Sequence, residues 1–233
     1  MSTEFMEIGF GQNDDSFQSK GTRYKGKEGR TDRLSLVWWP MEDGKPNLDA
    51  ETPKFIGAPR VYIKGVGYVL CKSAEYAKIA GQAAKKSVAT IVIQWPTDDK
   101  GSLDKNNIQS GFKVLSWCFS KGRYEQLARL HGEWPLGAHD FTFACSDTQY
   151  QKGDFTPCRE SLFKMLMEKE GAEAIQKRIL SGLAEVESGI QNELARDLTL
   201  DQIREALGVE SAAVTGVVAD AGVVDDMLDN LGV

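Results

Sequence analysis

The apolar positions of this chain change rhythm once, close to residue 158. Before it they come in short runs rich in β-branched and aromatic residues, Leu34–Trp39, Arg60–Ile63, Tyr68–Cys71, Thr90–Trp95, Phe112–Phe119 and Phe141–Cys145, separated by Gly-, Pro- and Asp-rich stretches. Runs of this length and composition predict strands. Helices are expected over Ser73–Lys85, on an alanine stripe, and over Lys121–His131, where Leu127 and Leu130 stand three apart. After Pro157 the spacing becomes three and four: Leu162, Met165 and Leu166, then Ile175, Ile179, Leu180, Leu183 and Val186, which predicts amphipathic helices broken near Gly171. Thr199 with Gln202 three residues later forms a capping box for a further short helix, which Gly208 ends. The expected fold class is α+β. A flexible N-terminal arm (1–19) leads into a β-rich nucleic-acid-binding body (20–159), OB-like or a distinct small sheet or barrel. A helical region (160–208) and a linker with an acidic amphipathic tail (209–233) complete the expected order.

Charge sharpens this division. The net charge of −6 splits into −4 over residues 1–17, +7 over 18–159 and −9 over 160–233. A basic body between acidic ends suits a polyanion on the body and a basic partner, or the body itself, on the arm. There is no run of 18 apolar residues and no basic start followed by an apolar stretch, so neither a membrane span nor a secretory signal is expected, and the expected location is cytoplasmic. Cys71, Cys118, Cys145 and Cys158 lie far apart and are expected as buried thiols; a four-cysteine zinc site is the alternative, although structural zinc takes its ligands in closely spaced pairs.

Catalytic chemistry finds little to work with. His131 and His139 are the only histidines, and their eight-residue spacing offers neither a zinc-protease motif nor a triad. Gly21-Thr22-Arg23-Tyr24-Lys25-Gly26-Lys27-Glu28 follows a phosphate-binding loop as far as its lysine. Glu28 then stands where a hydroxyl should hold magnesium. No enzyme activity, cofactor or metal is expected.

Binding chemistry is better supplied. Lys20, Arg23, Lys25, Lys27, Arg30 and Arg33 place six cations in fourteen residues, with Tyr24 among them and Trp38 and Trp39 downstream. Cations neutralise phosphates, and aromatic faces stack on unpaired bases, which a duplex hides. In Arg60-Val61-Tyr62-Ile63-Lys64, strand alternation sends Arg60, Tyr62 and Lys64 to one face and Val61 and Ile63 to the core. Tyr68, Lys72, Lys85 and Lys86 extend the expected surface, as do Lys113, Trp117, Lys121, Arg123 and Tyr124. Because neighbours on a strand face opposite ways, only one of Trp38 and Trp39 is expected in the core, with Trp39 assigned to the binding surface. The tail residues Asp225, Asp226, Met227, Leu228, Asp229 and Leu231 are expected to meet a partner or to compete for the body; an oligomerisation helix is the other reading.

This order resembles phage single-stranded DNA-binding proteins: a basic lead-in from Tyr24 to Arg33, a Leu-Ser-Leu-Val-Trp-Trp-Pro strand, an Arg-Val-Tyr-Ile-Lys strand, later short strands and an acidic helical end. More narrowly it is similar to the Drc-type cofactors of RNA polymerase in schitoviruses, the N-four-like phages. The resemblance implies single-stranded DNA as ligand, a phage RNA polymerase or replication proteins as partners, and a fold unlike ordinary single-strand binders; a homo-oligomer is expected besides. A protein-interaction module working through the helical half, and an RNA binder, are the competing expectations.

Overall fold

The computed structural model describes residues 23–98, 100–147 and 152–208. Among them the fold is α+β, built on a seven-stranded antiparallel sheet. Its centre is the ten-residue strand Lys85–Gln94, whose Ala-Thr-Ile-Val-Ile run is buried on both faces. Numbered in chain order, the strands are β1 (Thr31–Leu36), the two-residue pair β2 (Met41–Glu42) and β3 (Lys45–Pro46), β4 (Ile56–Ile63), β5 (Gly67–Leu70), the central β6, β7 (Lys113–Ser120), β8 (Phe141–Cys145) and β9 (Gly153–Pro157). β7 runs along one side of β6 from Ser87 to Gln94. The other side of β6 is shared: its first half pairs with β4 and its last residues with β1. The sheet therefore branches into a β4–β5 wing and a β1–β8–β9 wing.

Strand alternation gives the sheet two buried faces. On one, Trp117 stands within 4.8–6.2 Å, ring centre to ring centre, of Tyr24, Phe119, Phe141, Phe143 and Phe155, so the β1–β8–β9 wing curls toward β7 around an aromatic core. The helix α3 (Lys121–Glu133) follows β7 directly. On the other face lies the 22-residue α5 (Glu173–Leu194), burying Ile179, Leu183, Val186, Ile190 and Leu194 at the three- and four-residue spacing read from the sequence. Gly182 permits its approach, because a Cβ there would stand 2.9 Å from Val114 on β7. The short helices α1 (Ala74–Ala80) and α6 (Leu200–Ala206) cover the inner side of the β4–β5 wing, where Tyr76 and Ile203 join Val61, Ile63 and Val69 in a second core. α2 (Ile108–Gly111) and α4 (Leu162–Glu168) complete the helices among the described residues, none of which is long and apolar enough to cross a membrane.

Several boundaries differ from the sequence expectation. The expected strand Leu34–Trp39 begins earlier and stops at Leu36, so alternation no longer governs Trp38 and Trp39. Both are buried, the Trp38 indole donating to Glu187 at 3.0 Å and that of Trp39 to the Leu36 carbonyl at 2.8 Å. Helix α1 ends at Ala80 because Gly81 takes the left-handed conformation (φ 63°), which frees Lys85 to open β6. The Thr199–Gln202 capping box is formed, and Gly171 (φ 75°) separates α4 from α5. Of the four free thiols only Cys145 is fully buried; the others are half-buried.

Candidate nucleic-acid interface

The outer side of the β4–β5 wing carries the clearest exposed aromatic pair. Tyr62 and Tyr68 are register partners across the two strands, their rings 5.3 Å apart and inclined at 66°, and they remain 49% and 41% exposed. Val61 and Ile63 are buried beneath them, as alternation requires. Lys64 follows in the exposed turn, and Lys85, opposite Arg60 across β4 and β6, shares the aromatic face. Arg196 arrives from the end of α5. Its backbone joins the free edge of β5, donating to the Tyr68 carbonyl and accepting from the Leu70 amide, both at 3.0 Å. A Cβ on Gly67 would lie 3.8 Å from the Arg196 guanidinium, and the register partner of Arg196 is Val69, so this cation sits at the edge of β5 on the Gly67–Val69 side. Among the described residues, Lys64, Lys85 and Arg196 form no ion pair. The chemistry is that of a small stacking platform with cations at its margin.

Many of the other expected binding groups are engaged elsewhere. Tyr24 is buried and its phenol donates to Asp32 at 2.9 Å; burial, with the Asp32 carboxylate adding to it, pushes its pKa well above the ordinary tyrosine range. Trp39 and Trp117 belong to the main core. Arg30 pairs with Asp32 and Arg33 with Asp140, each at 2.9 Å, and Arg33 also donates to the Glu160 carbonyl. Arg60 is buried, donating to the Ser87 hydroxyl and the Leu194 carbonyl, each at 2.8 Å. Arg123 is buried with its guanidinium 4.4 Å from the centre of the Phe143 ring. Lys72 pairs with Asp197, and Lys121 approaches Glu125 at 3.8 Å on the exposed side of α3. For Arg33, Arg60, Lys72 and Arg123 the partner is a carboxylate, carbonyl or ring brought in by tertiary folding, whereas Arg30 and Lys121 meet carboxylates two and four residues away in sequence.

Comparison with protein-family models, with curated proteins and with solved structures finds no match to this chain.

The remaining expected residues are dispersed. Lys25 and Lys27 are exposed on the segment entering β1, Lys86 is half-buried at the start of β6, and Lys113 is exposed at the far end of β7. Arg23 is half-buried beside β7, close enough to Arg60 and Cys118 for its charge to act on both. Tyr124 is 37% exposed but stands edge-on to Phe55. Lys20 and the tail residues Asp225, Asp226, Met227, Leu228, Asp229 and Leu231 lie outside the described residues. Arg196, whose backbone extends the β5 edge, is the contributor to the wing that sequence reading missed. It follows a helix, and nothing local to it announces pairing with a strand about 125 residues earlier.

The segment that follows a phosphate-binding loop in sequence leads into strand β1, with no helix N-terminus to meet a phosphate. The two histidines hold the scaffold: His131 donates from Nε2 to the Glu51 carbonyl and accepts the Leu136 amide at Nδ1, and His139 contacts the Cys158 carbonyl through Nδ1. Among the described residues no three His, Cys, Asp or Glu side chains gather as metal ligands.

Proposed function

We propose that this protein is a non-enzymatic binder of single-stranded DNA and that the Tyr62–Tyr68 pair is its stacking platform. The observation that carries the proposal is an exposed cross-strand tyrosine pair on the β4–β5 wing, with the exposed Lys64 and Lys85 near it. The exposed surfaces of this edge-to-face pair suit unpaired bases, which a duplex keeps stacked on one another, and the marginal cations suit the neighbouring phosphates. The binding body in this reading is the branched sheet itself rather than an OB-like barrel, since β6 carries two different strands along one edge. The layout shared with phage single-strand binders extends the proposal to a cofactor of a phage RNA polymerase or a replication protein acting on exposed strands.

A gel shift with an unstructured oligonucleotide, its duplex and the corresponding RNA, at two salt concentrations, tests this reading. The DNA single strand binds more tightly than the duplex, and affinity falls as salt rises. With two marginal cations the dependence of log affinity on log salt has a slope of about −1.4. Equal affinity for duplex, or indifference to salt, refutes it.

A further inference from the structure

Arg60 is the one member of the expected Arg60-Tyr62-Lys64 face that does not reach solvent, and its surroundings assign it a different task. Its guanidinium carbon lies 3.9 Å from the centre of the Tyr68 ring. Nε is held by the Ser87 hydroxyl on β6, and one terminal nitrogen by the carbonyl of Leu194, the last residue of α5. A cation at a helix C-terminus is favoured by the helix dipole, so this hydrogen bond has an electrostatic reason to persist. The guanidinium is thus tied to β6 and α5 with its carbon over the Tyr68 ring, while Arg196, two residues beyond Leu194, donates from its amide to the Tyr68 carbonyl.

We infer that Arg60 is a positioning residue: it backs the Tyr68 ring, sets it against Tyr62, and leaves the exposed remainder of the ring to a base. The inference rests on the stacking role proposed for the pair. Arg60 touches no phosphate in this arrangement, and its effect passes through Tyr68. Lysine cannot replace it, because an ammonium offers a point charge where a flat surface is needed.

The test uses the full-length protein with Arg60→Met, Arg60→Lys, Tyr68→Ala and the Arg60→Met/Tyr68→Ala double variant, titrated with labelled oligothymidine by fluorescence anisotropy. Each Arg60 variant is expected to lose affinity by about three-fold, less than loss of a stacked base commonly brings. The slope against salt is unchanged, and the double variant binds no more weakly than Tyr68→Ala alone. A reduced salt slope would make Arg60 a phosphate contact, and additive losses or unaltered affinity would equally overturn the inference. Should Arg60→Met fail to fold, Arg60→Lys, whose amine can still reach the Leu194 carbonyl, carries the comparison. A second reading needs no ligand: in protein labelled at tyrosine, the ring-to-ring nuclear Overhauser contacts of Tyr62 and Tyr68 should vanish on Arg60→Lys, and their persistence rejects the role. If those contacts vanish but the wild type ignores oligothymidine, the DNA reading falls and the positioning role stands.

Discussion

Each side chain in the β4 sequence is sorted by what lies behind it. Tyr62 has solvent on its outer side, so Tyr62→Ala should weaken single-strand binding by about five-fold or more while leaving the melting temperature within a few degrees. Ile63→Ala, in the second core, should instead destabilise the protein by about 2–5 kcal/mol in urea unfolding, with binding preserved at low denaturant. Tyr24 makes a pH prediction. Its folded pKa is raised by burial, so near and above the ordinary tyrosine pKa the unfolded chain binds fewer protons than the folded one, and stability must fall as pH rises. The Tyr24 share of this loss approaches about 1.4 kcal/mol per pH unit once the unfolded phenol is ionised. Tyr24→Phe should remove that share when urea unfolding is compared at neutral and strongly alkaline pH. Asp32 would still accept from Arg30 and Gln94.

Elements were legible where their signals were local. Strand β8 falls on the expected residues, Phe141–Cys145, and Thr199 caps α6 through the expected pair of hydrogen bonds. The alternation in β4 sorted Val61 and Ile63 from Tyr62 correctly. The fate of the cations was not legible, because their partners are remote: Asp140 lies 107 residues beyond Arg33, and Leu194 lies 134 beyond Arg60. Arg33 of the basic cluster, and Arg60 beyond it, consequently became internal clamps, while Lys25 and Lys27 stay exposed. Trp39 was misassigned to the binding surface because the strand ends at Leu36, before both tryptophans. β9, with its Gly, Asp and Pro, carries little strand propensity and owes its conformation to pairing with β8. At this scale α5 is the decisive element, since it covers the sheet and delivers both Leu194 and Arg196 to the platform. Gly182→Leu should push it from Val114, lowering stability by about 1–3 kcal/mol by thermal unfolding, and should weaken oligonucleotide binding as well.

Across the whole molecule, the main core joins residues from Tyr24 to Leu194, so the strands and the long helix are one packing problem. Residues 209–233 contribute Glu210, Asp220, Asp225, Asp226 and Asp229 with no Lys or Arg. A segment of that charge is repelled by phosphate and attracted to cations. Deleting it should leave oligothymidine affinity unchanged or raised, most visibly at low salt where screening is weakest. A fall in affinity accompanied by smaller species on a sizing column would instead make the tail an assembly element. The central claim concerns where the strand lies, and ultraviolet crosslinking of a bromodeoxyuridine oligonucleotide followed by peptide mapping addresses it directly. Crosslinks should concentrate on Tyr62 and Tyr68 and be lost in the Tyr62→Ala/Tyr68→Ala variant. Crosslinks confined to peptides away from the β4–β5 wing, or unchanged in that variant, would contradict it.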